Sequence, residues 1–142
     1  MGIAKAASVA HWEVALQNPR EHKVRLKDII KTVDARVLVG DDKLLDREIT
    51  TASACDLMSD VLAFAQPGIL LVTGLTNSQV VRTAAISQLS GVIIVRGKKP
   101  GKDTIELAEK MRVPLLSTPK HMFVLCSELS RAGLKGTSSE DL

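Results

Sequence analysis

The spacing of apolar positions changes several times along this chain, and each change predicts an element. Leu26, Ile29, Ile30 and Val33 recur every three to four residues, the period of an amphipathic helix. Ala35 to Val39 is a short apolar strand, ended by the turn residues Gly40-Asp41-Asp42. Residues 46–52 read as an extended segment, and Asp56 to Ala65 as a helix stopped by Pro67-Gly68. Ile69-Leu70-Leu71-Val72 is wholly apolar, as expected of a strand covered on both faces. Thr76 and Gln79 have capping-box spacing, with Asn77 as the alternative cap, and the helix they open runs to Ser90 with Gly91 at its C′ position. Val92-Ile93-Ile94-Val95 is a second buried strand. Asp103 and Glu106 form another capping box, before a helix that ends at Arg112. Val113-Pro114-Leu115-Leu116 is the next strand. Thr118 then reads as an N-cap with Pro119 at the first helical position, and Met122, Leu125, Cys126 and Leu129 give the helix an apolar face that ends at Gly133.

Strands alternating with helices imply right-handed parallel crossovers. The expected fold class is therefore α/β: a three-layer sandwich around a mostly parallel sheet of about four or five strands. The segments 35–39 and 46–52 are short enough to pair antiparallel at an edge. Residues 1–23 differ from the rest, being Ala-rich and then polar. Val9, Trp12 and Leu16 have helical spacing there, so this N-terminal extension is either a helix or flexible. The organisation expected is an extension over 1–23, an α/β domain over 24–133 and a frayed C-terminal tail over 134–142.

Composition narrows the function classes. The aromatic fraction is 2%, with no Tyr, so the core must come from Val, Ile, Leu and Ala, and the aromatic platforms of single-strand nucleic-acid binding are missing. The net charge of +3 comes from scattered basic residues rather than a basic face, so no nucleic-acid partner is expected. No apolar run approaches the roughly 18 residues of a membrane span, and the first residues lack the apolar region of a signal peptide. The protein is expected to be cytoplasmic, with no membrane partner. Cys55 and Cys126 lie far apart, outside any C-x-x-C pair and away from any His at ligand spacing. They read as free thiols, and no metal or other cofactor is expected.

No catalytic residues are assigned. Gly97-Lys98-Lys99 is not a phosphate-binding P-loop, because Gly91 is one residue too distant and Lys99 replaces the Ser or Thr. An unrecognised enzyme site would need a carboxylate sharing a cleft with His121. The candidate chemistry is instead positional. Open parallel sheets bind ligands outside the carboxyl ends of their strands. Three such ends carry Thr73-Gly74 with Asn77, then Arg96-Gly97-Lys98, then Ser117-Thr118, and Thr73, Gly74, Asn77, Arg96, Gly97, Ser117 and Thr118 are the seven candidates. Helix N-termini expected at 77 and 119 would attract anions, and Arg96 could grip a phosphate or carboxylate. A nucleotide or other phosphorylated small molecule would suit these residues, although Thr76, Asn77 and Thr118 would cap helices in any case. A second constellation, Asp46-Arg47 with Asp56, Ser59 and Asp60, reads as structural or as a subunit interface. Asp56 would cap a helix, Arg47 would pair with an acid, and Ser59 and Asp60 would bond nearby backbone.

Leu45-Asp46-Arg47-Glu48-Ile49-Thr50, Asp56-Leu57-Met58-Ser59-Asp60-Val61-Leu62 and Leu71-Val72-Thr73-Gly74 together resemble the DRTGG domain. Pro114-Leu115-Leu116-Ser117-Thr118 ahead of a helix resembles its closing strand and helix. Related sequences often carry glycines after the Asp-Arg segment, where this chain has Thr51-Ala52. The resemblance implies a fold similar to the N-terminal domain of HPr kinase/phosphorylase, without the kinase domain and its P-loop. It also implies a non-catalytic role in assembly or regulation, which fits a homodimer that regulates or scaffolds a protein partner. The alternative it leaves open is a sensor of a nucleotide or phosphorylated metabolite.

Overall fold

The computed structural model describes residues 24–138. The expected extension over 1–23 lies outside the described residues. In chain order the elements are α1 (Leu26–Thr32), β1 (Arg36–Val39), α2 (Asp42–Leu45), β2 (Ala52–Ala54), α3 (Met58–Phe64), β3 (Leu70–Thr73), α4 (Ser78–Ile86), β4 (Gly91–Ile94), α5 (Lys102–Met111), β5 (Leu115–Ser117) and α6 (Met122–Arg131).

The five strands make one sheet in the order β1-β5-β4-β3-β2. The four strands β2 to β5 are parallel, and β1 runs antiparallel to β5 at the edge, with Arg36 opposite Ser117. The pleat divides the apolar strands between two cores. Leu70, Val72, Ile93 and Leu116 face Leu26 and Ile29 of α1 and Leu125 and Leu129 of α6. Leu71, Val92, Ile94 and Leu115 face Met58 and Val61 of α3, Val80 and Val81 of α4, and Ala108 of α5. This is the three-layer, mostly parallel sandwich that the sequence pattern predicts.

Two layers of helices on a parallel sheet create one topological irregularity. The connections after β2, β3 and β4 put their helices on one face, whereas the connection after β5 puts α6 on the other. The chain therefore parts between the carboxyl ends of β4 and β5, where open α/β sheets form a crevice.

Several local expectations are corrected. The segment 46–52 is mostly loop, because Asp41 caps the short α2 by accepting from the Leu44 N–H at 2.8 Å, and the strand begins only at Ala52. Helix α4 ends at Ile86 instead of Ser90. Gln88 takes the left-handed turn with φ 55°, which frees Gly91 to open β4. Helix α5 is capped by Gly101, so Asp103 lies inside its first turn and is not a cap. Helix α6 begins at Met122 with His121 at the cap position, three residues beyond the expected start. Thr118 cannot cap it, because its hydroxyl already accepts from the Lys120 N–H at 3.3 Å and points back to the Val33 carbonyl.

Residues 134–138, expected to fray, instead lie along the outer edge of β2. Ala52 donates to the Lys135 carbonyl at 2.9 Å and accepts from the Thr137 N–H at 3.0 Å. The Thr51 and Thr137 hydroxyls meet at 2.8 Å, and Leu134 is buried. Unpaired strand edges invite foreign strands, so this strap protects the parallel edge of the sheet.

Candidate functional site

The crevice between β4 and β5 is a real cavity of about 630 Å³. Gly97, Ser117 and Thr118, three of the seven carboxyl-end candidates, line it. The turn after β4 is tight. Arg96 and Gly97 both have left-handed backbones, with φ 61° and 65°. Their N–H groups donate to the carbonyls of Lys120 and Thr118, both at 2.8 Å. Those two amides are therefore engaged by the protein, and the turn displays side chains instead of free N–H groups. Arg96 is exposed there.

The positive charge of the cavity comes mainly from residues outside the seven. Lys98, Lys99 and Arg36 line it. Arg36 reaches the carboxyl end of the sheet because β1 is antiparallel, so its first residue lies beside the last residue of β5. Among the described residues, the side chains of Arg36, Arg96 and Lys99 have no hydrogen-bond or ion-pair partner. Ala35, Leu38, Pro100, Ile105 and Pro119 supply an apolar wall. The cavity thus offers an apolar wall and a cationic rim, with Asp34 the one acid among its described lining residues.

Thr73 and Gly74 serve a different group. The buried Thr73 hydroxyl donates to Asp56 Oδ1 at 2.8 Å and accepts from the Leu75 N–H at 3.2 Å. The Gly74 N–H donates to the same Oδ1 at 2.8 Å. Asp56 therefore does not cap α3, whose cap position is Leu57. The Gly74 N–H holds the Asp56 carboxyl below its ordinary value against the opposing effect of burial, with help from the Thr73 hydroxyl, Lys98 and Arg96. Lys98 Nζ donates to the Gly74 carbonyl at 2.8 Å and so joins the Asp56 cluster to the cavity. Asn77 caps α4, its Oδ1 accepting from the Val80 N–H at 3.3 Å.

The second constellation is split. Asp46 and Arg47 line another cavity, of about 690 Å³, at the amino ends of the strands near Ser90 and Val113. Arg47 does not pair with an acid. It donates to the Arg112 carbonyl at 3.1 Å, satisfying an orphan group at the end of α5. Burial, then the charge of Arg112, lowers the Arg47 guanidinium below its ordinary value. Asp46 accepts from Arg25 at 2.6 Å and Lys27 at 2.8 Å. Ser90 donates its hydroxyl to the Glu48 carbonyl nearby. These bonds tie loops together. Ser59 and Asp60 are exposed on α3, and among the described residues neither side chain bonds backbone as expected.

Sequence reasoning thus missed Arg36 and Lys99, placed Lys98 at a strand end without making it a candidate, and assigned Asp56 to the wrong group. Lys98 and Lys99 were visible as a basic loop after a strand. Arg36 was hidden because the direction of β1 is not written in its residues.

Comparison with known proteins adds the following. The DRTGG domain model matches residues 28–132. Among solved structures, the chain is similar to the CBS and DRTGG domains of the regulatory region of Clostridium perfringens pyrophosphatase, complexed with its activator, diadenosine tetraphosphate. The TM-score is 0.64 at 19% identity, over 76% of this chain and 46% of that one, so the likeness concerns the fold and covers under half of that structure. No curated protein matches.

Proposed function

The chain belongs to the DRTGG domain family, and from that premise we propose that it is a non-catalytic, cytoplasmic regulatory module that senses a nucleotide or similar phosphorylated metabolite. The single observation that carries this reading is the cavity at the topological switch between β4 and β5. It joins unpaired cations to an apolar wall, which is the chemistry a nucleotide needs. Arg36 and Lys99 would hold the phosphates, Lys98 would add a donor, and Arg96 would add charge from the turn beside the cavity. Gly97, Ser117 and Thr118 would shape the floor. Thr73, Gly74 and Asn77 would act indirectly, by holding Asp56 and starting α4. A regulatory region that shares this fold takes a dinucleotide activator, which supports the ligand class.

A thermal-shift screen of nucleotides, dinucleotides and phosphorylated metabolites tests the proposal. A ligand at 100 times its Kd stabilises by about 2.7 kcal/mol. For a domain near this size the midpoint rises by roughly 5–10 °C. Arg36→Ala and Arg96→Ala each reduce the shift without lowering the ligand-free midpoint, because both side chains are exposed and unpaired. A screen without any shift overturns the sensing role.

A second reading, a homodimer, rests on a separate observation. Leu57 and Leu62 on and beside α3 are 57% and 51% exposed, inside the segment the sequence marks as an interface. Their burial against a second copy, or against a protein partner, would use that apolar surface. Sedimentation equilibrium should then find a dimer that Leu62→Asp converts to monomer. A wild-type monomer at high concentration removes this reading.

A further inference from the structure

Asp56 is exposed, and its structural role uses only one of its two carboxylate oxygens. Oδ1 is saturated by the Thr73 hydroxyl and the Gly74 N–H. Oδ2 accepts no hydrogen bond among the described residues, although a carboxylate has about four acceptor positions. Lys98 is its neighbour. A Cβ placed on Gly74 would lie 3.7 Å from both Asp56 oxygens and 3.8 Å from Lys98 Nζ, so the two charges flank one point. Gly74 also has no left-handed backbone to explain a glycine there. Lys98 uses one of its three N–H donors on the Gly74 carbonyl. The pair therefore presents one strong acceptor and spare donors side by side, with Lys98 lining the cationic cavity and Asp56 beside it, outside the lining.

An oxyanion would be repelled by Asp56, so this corner does not suit a phosphate. A hydroxyl suits it, because it can donate to Oδ2 and accept from Nζ. We propose that Asp56 and Lys98 together read the ribose hydroxyls of a nucleotide whose phosphates lie against Arg36 and Lys99 and whose base lies on Leu38 and Ile105. This inference rests on the sensing role proposed above and adds its specificity determinant. Lys98 is the hinge of the arrangement, since it lines the cavity and bonds to the Asp56 cluster.

The test compares AMP with its dideoxyribose analogue by isothermal titration calorimetry, using the full chain. Wild type binds AMP about tenfold more tightly, since a site built to bond a hydroxyl rejects the analogue that lacks it. Asp56→Asn keeps an acceptor for Thr73 and Gly74 but loses the charge, and its preference falls towards one. Lys98→Met, which leaves that acceptor set intact, lowers the preference as well. A backbone amide spectrum of each variant shows that the fold is kept. Ribose 5-phosphate, run alongside, keeps the discrimination against its own dideoxy form if the sugar is read without the base. Equal binding of AMP and its analogue to wild type overturns the inference alone. Failure of every compound to bind overturns the sensing role with it.

Discussion

Truncating Ile93 to alanine lowers the stability of the protein by about 3 kcal/mol, within the range of ~2–5 kcal/mol for large aliphatic side chains cut to alanine in cores. Ile93 is fully buried in β4, the central strand of five. It packs with Val72 and Leu116 on neighbouring strands and with the helices of that face. Among the described residues the two phenyl rings lie outside the buried core, Phe64 half-buried against one cluster and Phe123 exposed, so the aliphatic residues of the central strands carry the packing themselves. The cavity left at the centre of a sheet collapses poorly, because both neighbouring strands are held by their ladders. In a thermal melt the loss amounts to roughly 10 °C. Ile86→Ala is the control. Ile86 is 71% exposed at the end of α4, and its truncation changes stability by less than about 0.5 kcal/mol. Equal effects at the two positions would contradict the layer assignment.

Removing residues 134–142 costs about 2 kcal/mol and makes the protein self-associate. The energetic part comes chiefly from Leu134, whose burial is worth roughly 1.5–3 kcal/mol. The two backbone bonds to Ala52 and the Thr51–Thr137 hydroxyl pair add less, since their groups regain water. The association part follows from the topology. Strand β2 is short, parallel and paired only to β3 on its inner side. Without the strap its outer N–H and C=O groups face solvent and can accept a strand from another copy. Urea denaturation measures the first effect and sedimentation velocity the second. Thr137→Val, which removes only the hydroxyl, should leave the protein monodisperse in the form wild type adopts. A truncated chain as stable as wild type would show that the strap contributes nothing.

The parts of this molecule that were legible in the sequence are those fixed by burial on both faces. Leu70–Thr73 and Gly91–Ile94 are strands because the wholly apolar tetrads 69–72 and 92–95 that they overlap, each between helices, have nowhere else to go. The helical period of Leu26, Ile29 and Val33 was similarly direct, and all three are buried. Element ends were harder, because caps compete. Thr118 and Pro119 form an ideal start signal, yet the Thr118 hydroxyl finds a better use in the turn against β4, and the helix waits until Met122. The strap was illegible for a related reason. Lys135-Gly136-Thr137 has the composition of a tail, and only the free edge of β2 gives its backbone a partner.

The candidate site was legible as a place more than as a set of residues. The strand ends at Gly97 and at Ser117-Thr118 do meet in one cavity. The charges that give the cavity its character were assigned elsewhere or missed. Arg36 depends on strand direction, a tertiary property. Asp56 looked like a helix cap, since Asp before an apolar helix commonly is one. Its carboxylate instead crosses to the next strand and accepts from Thr73 and Gly74. Asp46 and Arg47, the most recognisable pair in the sequence, line a cavity at the opposite end of the sheet and bind loops there.

The most direct test of the central claim is a nitrogen-15 amide titration of the full chain with AMP. The account predicts saturable shifts at Arg36, Gly97, Lys98, Lys99 and Ser117, with Arg47 and Arg112 unmoved. Saturable shifts confined to Arg47, Ser90 and Arg112 would contradict it and move the site to the amino ends of the strands.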